Sequence, residues 1–184
     1  QGKPIIQEVC IYFEYKLFRA NRATKINAEN FDAFESPNYP VMAVSGVHLE
    51  VKEDLLWKKE IKGDLTINKN FNTDIGLLKI FPGMNRTFIE SVLNAPNMKA
   101  FIIEAFGTGN IFTDQWFIDM LEEKVAQGIH LIINTQCAGG MVEIGRYATS
   151  DALLKMGAIS SFDLTMEGAI TKAIYLLGQN LTKD

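Results

Sequence analysis

Residues 99–134 read Lys99-Ala-Phe-Ile-Ile-Glu-Ala-Phe-Gly-Thr-Gly-Asn110-Ile-Phe-Thr-Asp-Gln-Trp-Phe-Ile-Asp-Met120-Leu-Glu-Glu-Lys-Val-Ala-Gln-Gly-Ile-His130-Leu-Ile-Ile-Asn134. Lys99–Phe106 is an almost unbroken apolar run, the texture of a strand buried on both faces. Thr113 or Asp114 can cap a helix that runs through Gln127, with Trp116, Phe117, Met120, Leu121 and Val125 on one face. Gly128 ends that helix, and Ile129–Asn134 is apolar again. Strand, helix, strand within 36 residues is the unit from which helix-covered parallel sheets are built.

The same texture extends outward. Upstream, Ile75–Phe81 reads as a buried strand closed by Pro82-Gly83, and Thr87–Leu93 as a short helix stopped by Pro96. Downstream, Gly139-Gly140 opens a glycine-rich loop reaching Arg146-Tyr147. Ser150 or Asp151 can cap a helix to about Met156, and a last amphipathic helix spans about Thr165 to Gly178. The expected fold class is α/β: a parallel-sheet C-terminal domain of Rossmann or flavodoxin-like three-layer type, preceded by the end of another α/β domain.

That earlier part reads differently. Val9–Tyr15 alternates as a strand does, and Val47–Lys52 reads as a half-exposed strand. Lys16–Ile26, carrying Lys16, Arg19, Arg22 and Lys25, reads as a loop or short helical turn. Residues 30–40 are turn-rich and end at Pro37 and Pro40. Between about Lys52 and Asn72 charges crowd and Gly63-Asp64 marks a turn. This is the best domain boundary, a solvated hairpin within one domain being the competing reading.

At 184 residues the chain is long enough for one domain or one and a fraction. With 47% hydrophobic and 22% charged residues it is no collagen, coiled coil or disordered tail. Its apolar runs fall far short of the roughly 20 residues that cross a bilayer. No basic segment precedes an apolar leader, so nothing reads as a signal peptide. Net charge is −4, and the acidic excess falls in residues 74–184. That balance argues against nucleic acid as a partner. Cys10 and Cys137 are far apart and read as free thiols in a reducing compartment. The chain opens Gln1-Gly-Lys-Pro-Ile-Ile, without Met, and reads as the middle of a longer chain.

Ligands of open parallel sheets bind beyond the carboxyl ends of the strands. Three segments occupy such ends: Phe81-Pro-Gly-Met84, Gly107-Thr-Gly-Asn110 and Thr135-Gln-Cys-Ala-Gly-Gly140. The Asn110 amide both donates and accepts, which suits a ligand bearing carboxylate and ammonium groups. Alternatively, Asn110 and its glycines only shape a turn. The glycines do not complete a dinucleotide fingerprint, because Phe112 stands at the third position, and there is no Gly-Lys-Ser/Thr loop for a nucleoside triphosphate. His48 and His130 have no partner at metal-ligand spacing. Cys137 reads as a buried or ligand-lining thiol rather than a nucleophile. A lysine in the basic stretch could assist proton transfer, the bland alternative being a solvated charge cluster.

Phe18-Arg-Ala-Asn-Arg-Ala-Thr-Lys25-Ile-Asn-Ala-Glu-Asn-Phe-Asp-Ala-Phe-Glu-Ser-Pro-Asn38 resembles the latter part of the catalytic domain of type I (cytoplasmic) L-asparaginases. Ile80-Phe-Pro-Gly83, Ala105-Phe-Gly-Thr-Gly-Asn110, Asn134-Thr-Gln-Cys137, Gly145-Arg-Tyr-Ala-Thr149 and Gly168-Ala-Ile-Thr-Lys-Ala-Ile-Tyr-Leu-Leu-Gly178 resemble the same family's C-terminal domain. The resemblance implies hydrolysis of asparagine to aspartate and ammonia through a threonine nucleophile, with no metal and no organic cofactor. It implies residues 1–55 as the end of the catalytic domain, 56–73 as a linker and 74–184 as the C-terminal domain.

Lys25 aligns with the family's catalytic lysine, whose implied role is to activate a threonine hydroxyl. Asn110 aligns with an asparagine supplied to a partner subunit's active site, so a homodimer or homotetramer is implied. Thr24 and Cys137 resemble part of an effector site for asparagine, but Glu104 stands where that site has an arginine, which disfavours it. Neither of the family's two threonine-bearing blocks occurs in these 184 residues, so the chain alone is expected to be inactive. The family's usual further helix after Leu181-Thr-Lys-Asp184 is also missing, so both ends are expected to be truncated. Two other readings remain: the amidohydrolase subunit of a tRNA-dependent amidotransferase, and a non-catalytic dimerisation or amino-acid-binding module.

Overall fold

The computed structural model describes residues 5–58, 64, 66–145 and 148–179. Gln1, the Arg146-Tyr147 end of the glycine-rich loop, and Leu181 to Asp184 lie outside the described residues. The chain divides into two compact units, Gln1–Lys69 and Asn70–Asp184.

In the first unit, β1 (Cys10–Phe13) and β2 (Lys16–Arg19) form an antiparallel hairpin. β3 (Thr24–Lys25) pairs with β4 (Phe34–Glu35). β5 (Ala43–Ser45) and β6 (Leu49–Val51) extend the first sheet, in the order β1-β2-β5-β6. The expectation of a loop or short helical turn over Lys16–Ile26 is therefore corrected in part: Lys16–Arg19 and Thr24–Lys25 are strands, and Ala20–Arg22 between them is a short 3-10 helical turn. A two-residue turn, Glu14 (φ 45°) and Tyr15 (φ 61°), folds β2 back on β1. Hairpin turns of this kind need positive φ at both central residues and usually announce themselves with Asn or Gly. Here they do not.

The second unit is built on β7 (Ile75–Lys79), α1 (Arg86–Leu93), β8 (Ala100–Ala105), α2 (Gln115–Ala126), β9 (His130–Thr135), α3 (Ala148–Met156), β10 (Ile159–Ser160) and α4 (Met166–Gly178). The four strands are parallel, in the order β10-β9-β8-β7. β10 is a strand the sequence reading lacked.

Three βα units advancing in one direction keep their helices on one face when each crossover is right-handed. The core follows this rule. Phe101, Ile103, Leu131 and Ile133 point to the face that receives Ile89 and Leu93 of α1, Phe117 and Leu121 of α2, and Leu153 of α3. The pleat turns the alternate residues Ala100, Ile102 and Asn134 to the opposite face, where all three are buried. α4 covers that face, with Met166 Sδ 4.0 Å from Asn134 Nδ2. The unit is thus a three-layer α/β sandwich.

Two of the expected caps are corrected: Asp114 precedes α2 without a side-chain capping bond, and α3 starts at Ala148, so Ser150 and Asp151 lie inside it. Asn85 and Thr165 accept from the backbone amides of Phe88 and Gly168 at the starts of α1 and α4. α4 is seated closely enough that its Ile174 carbonyl accepts from the Asn72 amide at 3.1 Å.

Candidate functional site

Among the described residues the parallel order of the four strands never reverses, so these strands form no crevice of the strand-reversal kind. Its strand-end loops are instead drawn together by side chains. Gln136 Nε2 donates to the Ile80 carbonyl at 2.6 Å and to the Glu104 carbonyl at 2.8 Å, stitching the ends of β7 and β8. Its own amide donates to the Ala105 carbonyl at 3.1 Å.

The turn after β8 is closed by backbone bonds. The Asn110 amide donates to the Phe106 carbonyl at 2.8 Å, and the Phe106 amide donates back to Asn110 at 2.9 Å. Gly107 (φ 49°) and Gly109 (φ 117°) hold the left-handed conformations that this reversal requires. A Cβ at Gly109 would stand 3.1 Å from Val142 Cγ1, so the glycine also permits close approach. Asn110 closes this turn and is half-buried. Its amide nitrogen lies 3.8 Å from where a Cβ at Gly107 would be.

Thr135 ties this turn to the loop after β9. Its Oγ1 donates to the Gly107 carbonyl at 2.5 Å and accepts from the Cys137 amide at 3.0 Å. Cys137 itself is an exposed free thiol, which corrects the buried half of the buried-or-ligand-lining expectation. Glu104 is mostly buried, with Lys79 Nζ 3.8 Å from its carboxylate.

Thr24 and Lys25 belong to the first unit, adjacent on β3, where Thr24 pairs with Glu35 and Lys25 with Phe34. Thr24 is half-buried and Lys25 exposed. The other cations of the basic stretch are engaged. Lys16 pairs with Asp32 at 3.0 Å. Arg19 grips Glu8 through Nε and through Nη2 at 3.0 Å, and Nη2 also donates to the Leu55 carbonyl at 3.0 Å. The Arg19 guanidinium lies 4.3 Å from the Tyr39 ring centroid. The charge-assisted bond from Arg19 holds the Glu8 carboxyl below its usual range against the opposing effect of burial, and raises Arg19 in return. Arg22 stands 5.9 Å from the Tyr39 ring. Lys25 makes no ion pair among the described residues.

The structure thus groups the four expected residues in two pairs: Thr24 with Lys25 in the first unit, Asn110 with Cys137 on adjacent strand ends of the second. Thr135 and Gln136, which organise the second pair, were given no role by sequence reasoning. The only signal available was a polar Asn-Thr-Gln run directly after an apolar strand. Among the described residues, no three His, Cys, Asp or Glu side chains converge as metal ligands would. No helix there is long and apolar enough to cross a membrane.

Polar, tightly turned loops at the carboxyl end of a parallel sheet place the second unit among the open-sheet α/β domains. Comparison with known families narrows this class. Residues 74–184 match the glutaminase/asparaginase C-terminal domain, and residues 1–57 match the N-terminal asparaginase domain. The chain belongs to the asparaginase family.

L-asparaginase 1 of Escherichia coli is 36% identical over 179 residues, 97% of this chain and 52% of that protein. The 60 kDa lysophospholipase of Mus musculus is 36% identical over 178 residues, 97% of this chain and 31% of that protein. A more distant match, 27% identical over 164 residues, is to one component of the glutamyl-tRNA(Gln) amidotransferase of Methanobrevibacter smithii, with 89% of this chain and 37% of that protein covered. The crystal structure of L-asparaginase I from Vibrio cholerae superposes with a TM-score of 0.88 at 34% identity, over 96% of this chain and 53% of that one. The chain therefore spans about a third to a half of the length of these relatives.

Proposed function

We propose that the chain is the C-terminal part of an amidohydrolase that converts L-asparagine and water to L-aspartate and ammonia. The observation that carries this reading is the 36% identity to Escherichia coli L-asparaginase 1 across 97% of the chain. In this reading residues 1–55 close the catalytic domain, 56–73 link the domains and 74–184 form the C-terminal domain. The family matches to 1–57 and 74–184 and the division between Lys69 and Asn70 support that division of labour.

The chemistry assigned to these residues is limited and specific. A threonine hydroxyl attacks the side-chain amide carbon, the C–N bond breaks, and the nitrogen leaves as ammonia after gaining a proton. Water then hydrolyses the acyl-threonine. Lys25 assists by polarising or relaying the proton of the attacking hydroxyl. Lys25 is exposed on β3, and what supports its role is its place in the segment resembling the family's catalytic domain, within residues 1–57. Asn110 supplies its amide to bound asparagine in a partner subunit's site, so the working form is a homodimer or homotetramer. Thr24 and Cys137 stand as residues of a possible effector site for asparagine, which the carboxylate of Glu104, where that site has an arginine, disfavours. Two free thiols support a reducing, cytoplasmic setting.

The test is ammonia release from L-asparagine by the full-length protein, with L-glutamine and a lysophosphatidylcholine as parallel substrates. Lys25→Ala should lower kcat by several orders of magnitude, and near-normal turnover would remove Lys25 from the mechanism. Fatty-acid release in place of ammonia would transfer the assignment to the activity named for the mouse relative. The 184-residue chain by itself should release no ammonia.

A further inference from the structure

The turn from Phe106 to Asn110 is closed internally by bonds between its own backbone groups. Those bonds hold the Asn110 backbone beside Phe106, just past the end of β8. With Gly107 and Gly109 both in the left-handed region, no side chain stiffens the turn at either position.

Among the described residues, two hydrogen bonds from outside the turn reach its backbone carbonyls. The Glu143 amide donates to the Thr108 carbonyl at 2.9 Å. The Thr135 hydroxyl donates to the Gly107 carbonyl at 2.5 Å. The second bond is the more constrained. A hydroxyl carries one hydrogen, and here it goes to Gly107 while a lone pair receives the Cys137 amide at 3.0 Å. A β-branched side chain holding both bonds has one rotamer open to it.

We propose that Thr135 is a positioning residue for substrate binding. Through the Gly107 carbonyl it aims Asn110, and the loop carrying Cys137 holds Thr135 in turn. The inference rests on the assignment of Asn110 to asparagine binding. It adds a residue that touches no substrate and whose loss is felt in KM rather than kcat.

The experiment is a double-mutant cycle on the full-length protein, with steady-state asparagine hydrolysis as the readout and thermal melting to check folding. Thr135→Val keeps the shape and removes the hydroxyl. It should raise KM about 2- to 10-fold, the range of one net hydrogen bond, with kcat within about twofold. Thr135→Ser restores the hydroxyl and should restore KM. In an Asn110→Ala background, Thr135→Val should raise KM no further, because the residue it aims is gone. If the valine variant does not fold, Thr135→Ala is carried through the same cycle. An unchanged KM in a folded Thr135→Val protein, or full additivity with Asn110→Ala, overturns the inference while leaving the role of Asn110 intact. An unchanged KM in Asn110→Ala alone overturns the underlying assignment of Asn110.

Discussion

Gly76 sits on β7 directly opposite Phe101 of β8. A Cβ built at Gly76 would lie 2.3 Å from Phe101 Cε1 and 2.4 Å from Cδ1. Carbon atoms pack best at about 3.5–4.0 Å, so the ring or the new methyl would have to retreat by more than about 1 Å. The ring has nowhere to go, since Phe101 is 1% exposed and lies in the main core. Overpacking of this kind costs about 1–3 kcal/mol. Gly76 has no positive φ, so alanine is compatible with its backbone and restricts the unfolded chain, a gain of about 0.4–1 kcal/mol. Gly76→Ala should therefore destabilise by about 1–2 kcal/mol net. With an m-value of about 1–3 kcal/mol/M, the urea midpoint followed by far-UV circular dichroism should fall by about 0.3–2 M. Phe101→Leu shrinks the obstructing ring, so the double variant should be more stable than the sum of the single effects implies. A neutral or stabilising Gly76→Ala, or strict additivity with Phe101→Leu, would refute the packing argument.

Three further outcomes follow from particular contacts. The Glu8 carboxyl is held below its usual value of 4.5 chiefly by the Arg19 hydrogen bond. A depressed carboxylate contributes stability above its unfolded value and loses it as pH falls through the lower folded value. The advantage of wild type over Glu8→Gln in urea midpoint should thus be constant above pH 4.5 and shrink below it; parallel curves down to acid would discount the pair. Lys124 is only 7% exposed and its Nζ donates to Asn94 Oδ1 at 2.7 Å. Asn94→Ala, which strands the buried ammonium, should cost about 1–3 kcal/mol, and Lys124→Met, which removes the ammonium and keeps the stem, should cost less; the reverse order in chemical denaturation would show that the amide does not satisfy the lysine. Thr165 caps α4 by accepting from the Gly168 amide, and Thr165→Ala should cost about 1 kcal/mol, an effect Thr165→Ser should not reproduce.

β8 and β9 were legible because burial inside the sheet demands near-continuous apolar runs, and β7 from its apolar run although, as the edge strand, it leaves Leu77 45% exposed; Gly83 and Gly128 mark where two segments stop. α2 was legible from its 3.6-residue period. β2 was not, because Glu14 and Tyr15 make a turn that depends on backbone conformation rather than on a turn-forming residue type. β10, two residues long, is too short to carry a period. Within the candidate site, Lys25 and Asn110 were reached from motifs, while the bonds that organise the Asn110 turn were out of reach.

Sequence by itself determined which segments must be buried, since burial is written into local spacing. Only the tertiary structure decided that Thr135 would meet Gly107, 28 positions away, and that Gln136 would meet Ile80, 56 positions away. Every residue offers the same backbone carbonyl, so a hydroxyl or amide that seeks one has no sequence partner to name. Its partner is chosen when parallel pairing brings the ends of β7, β8 and β9 side by side.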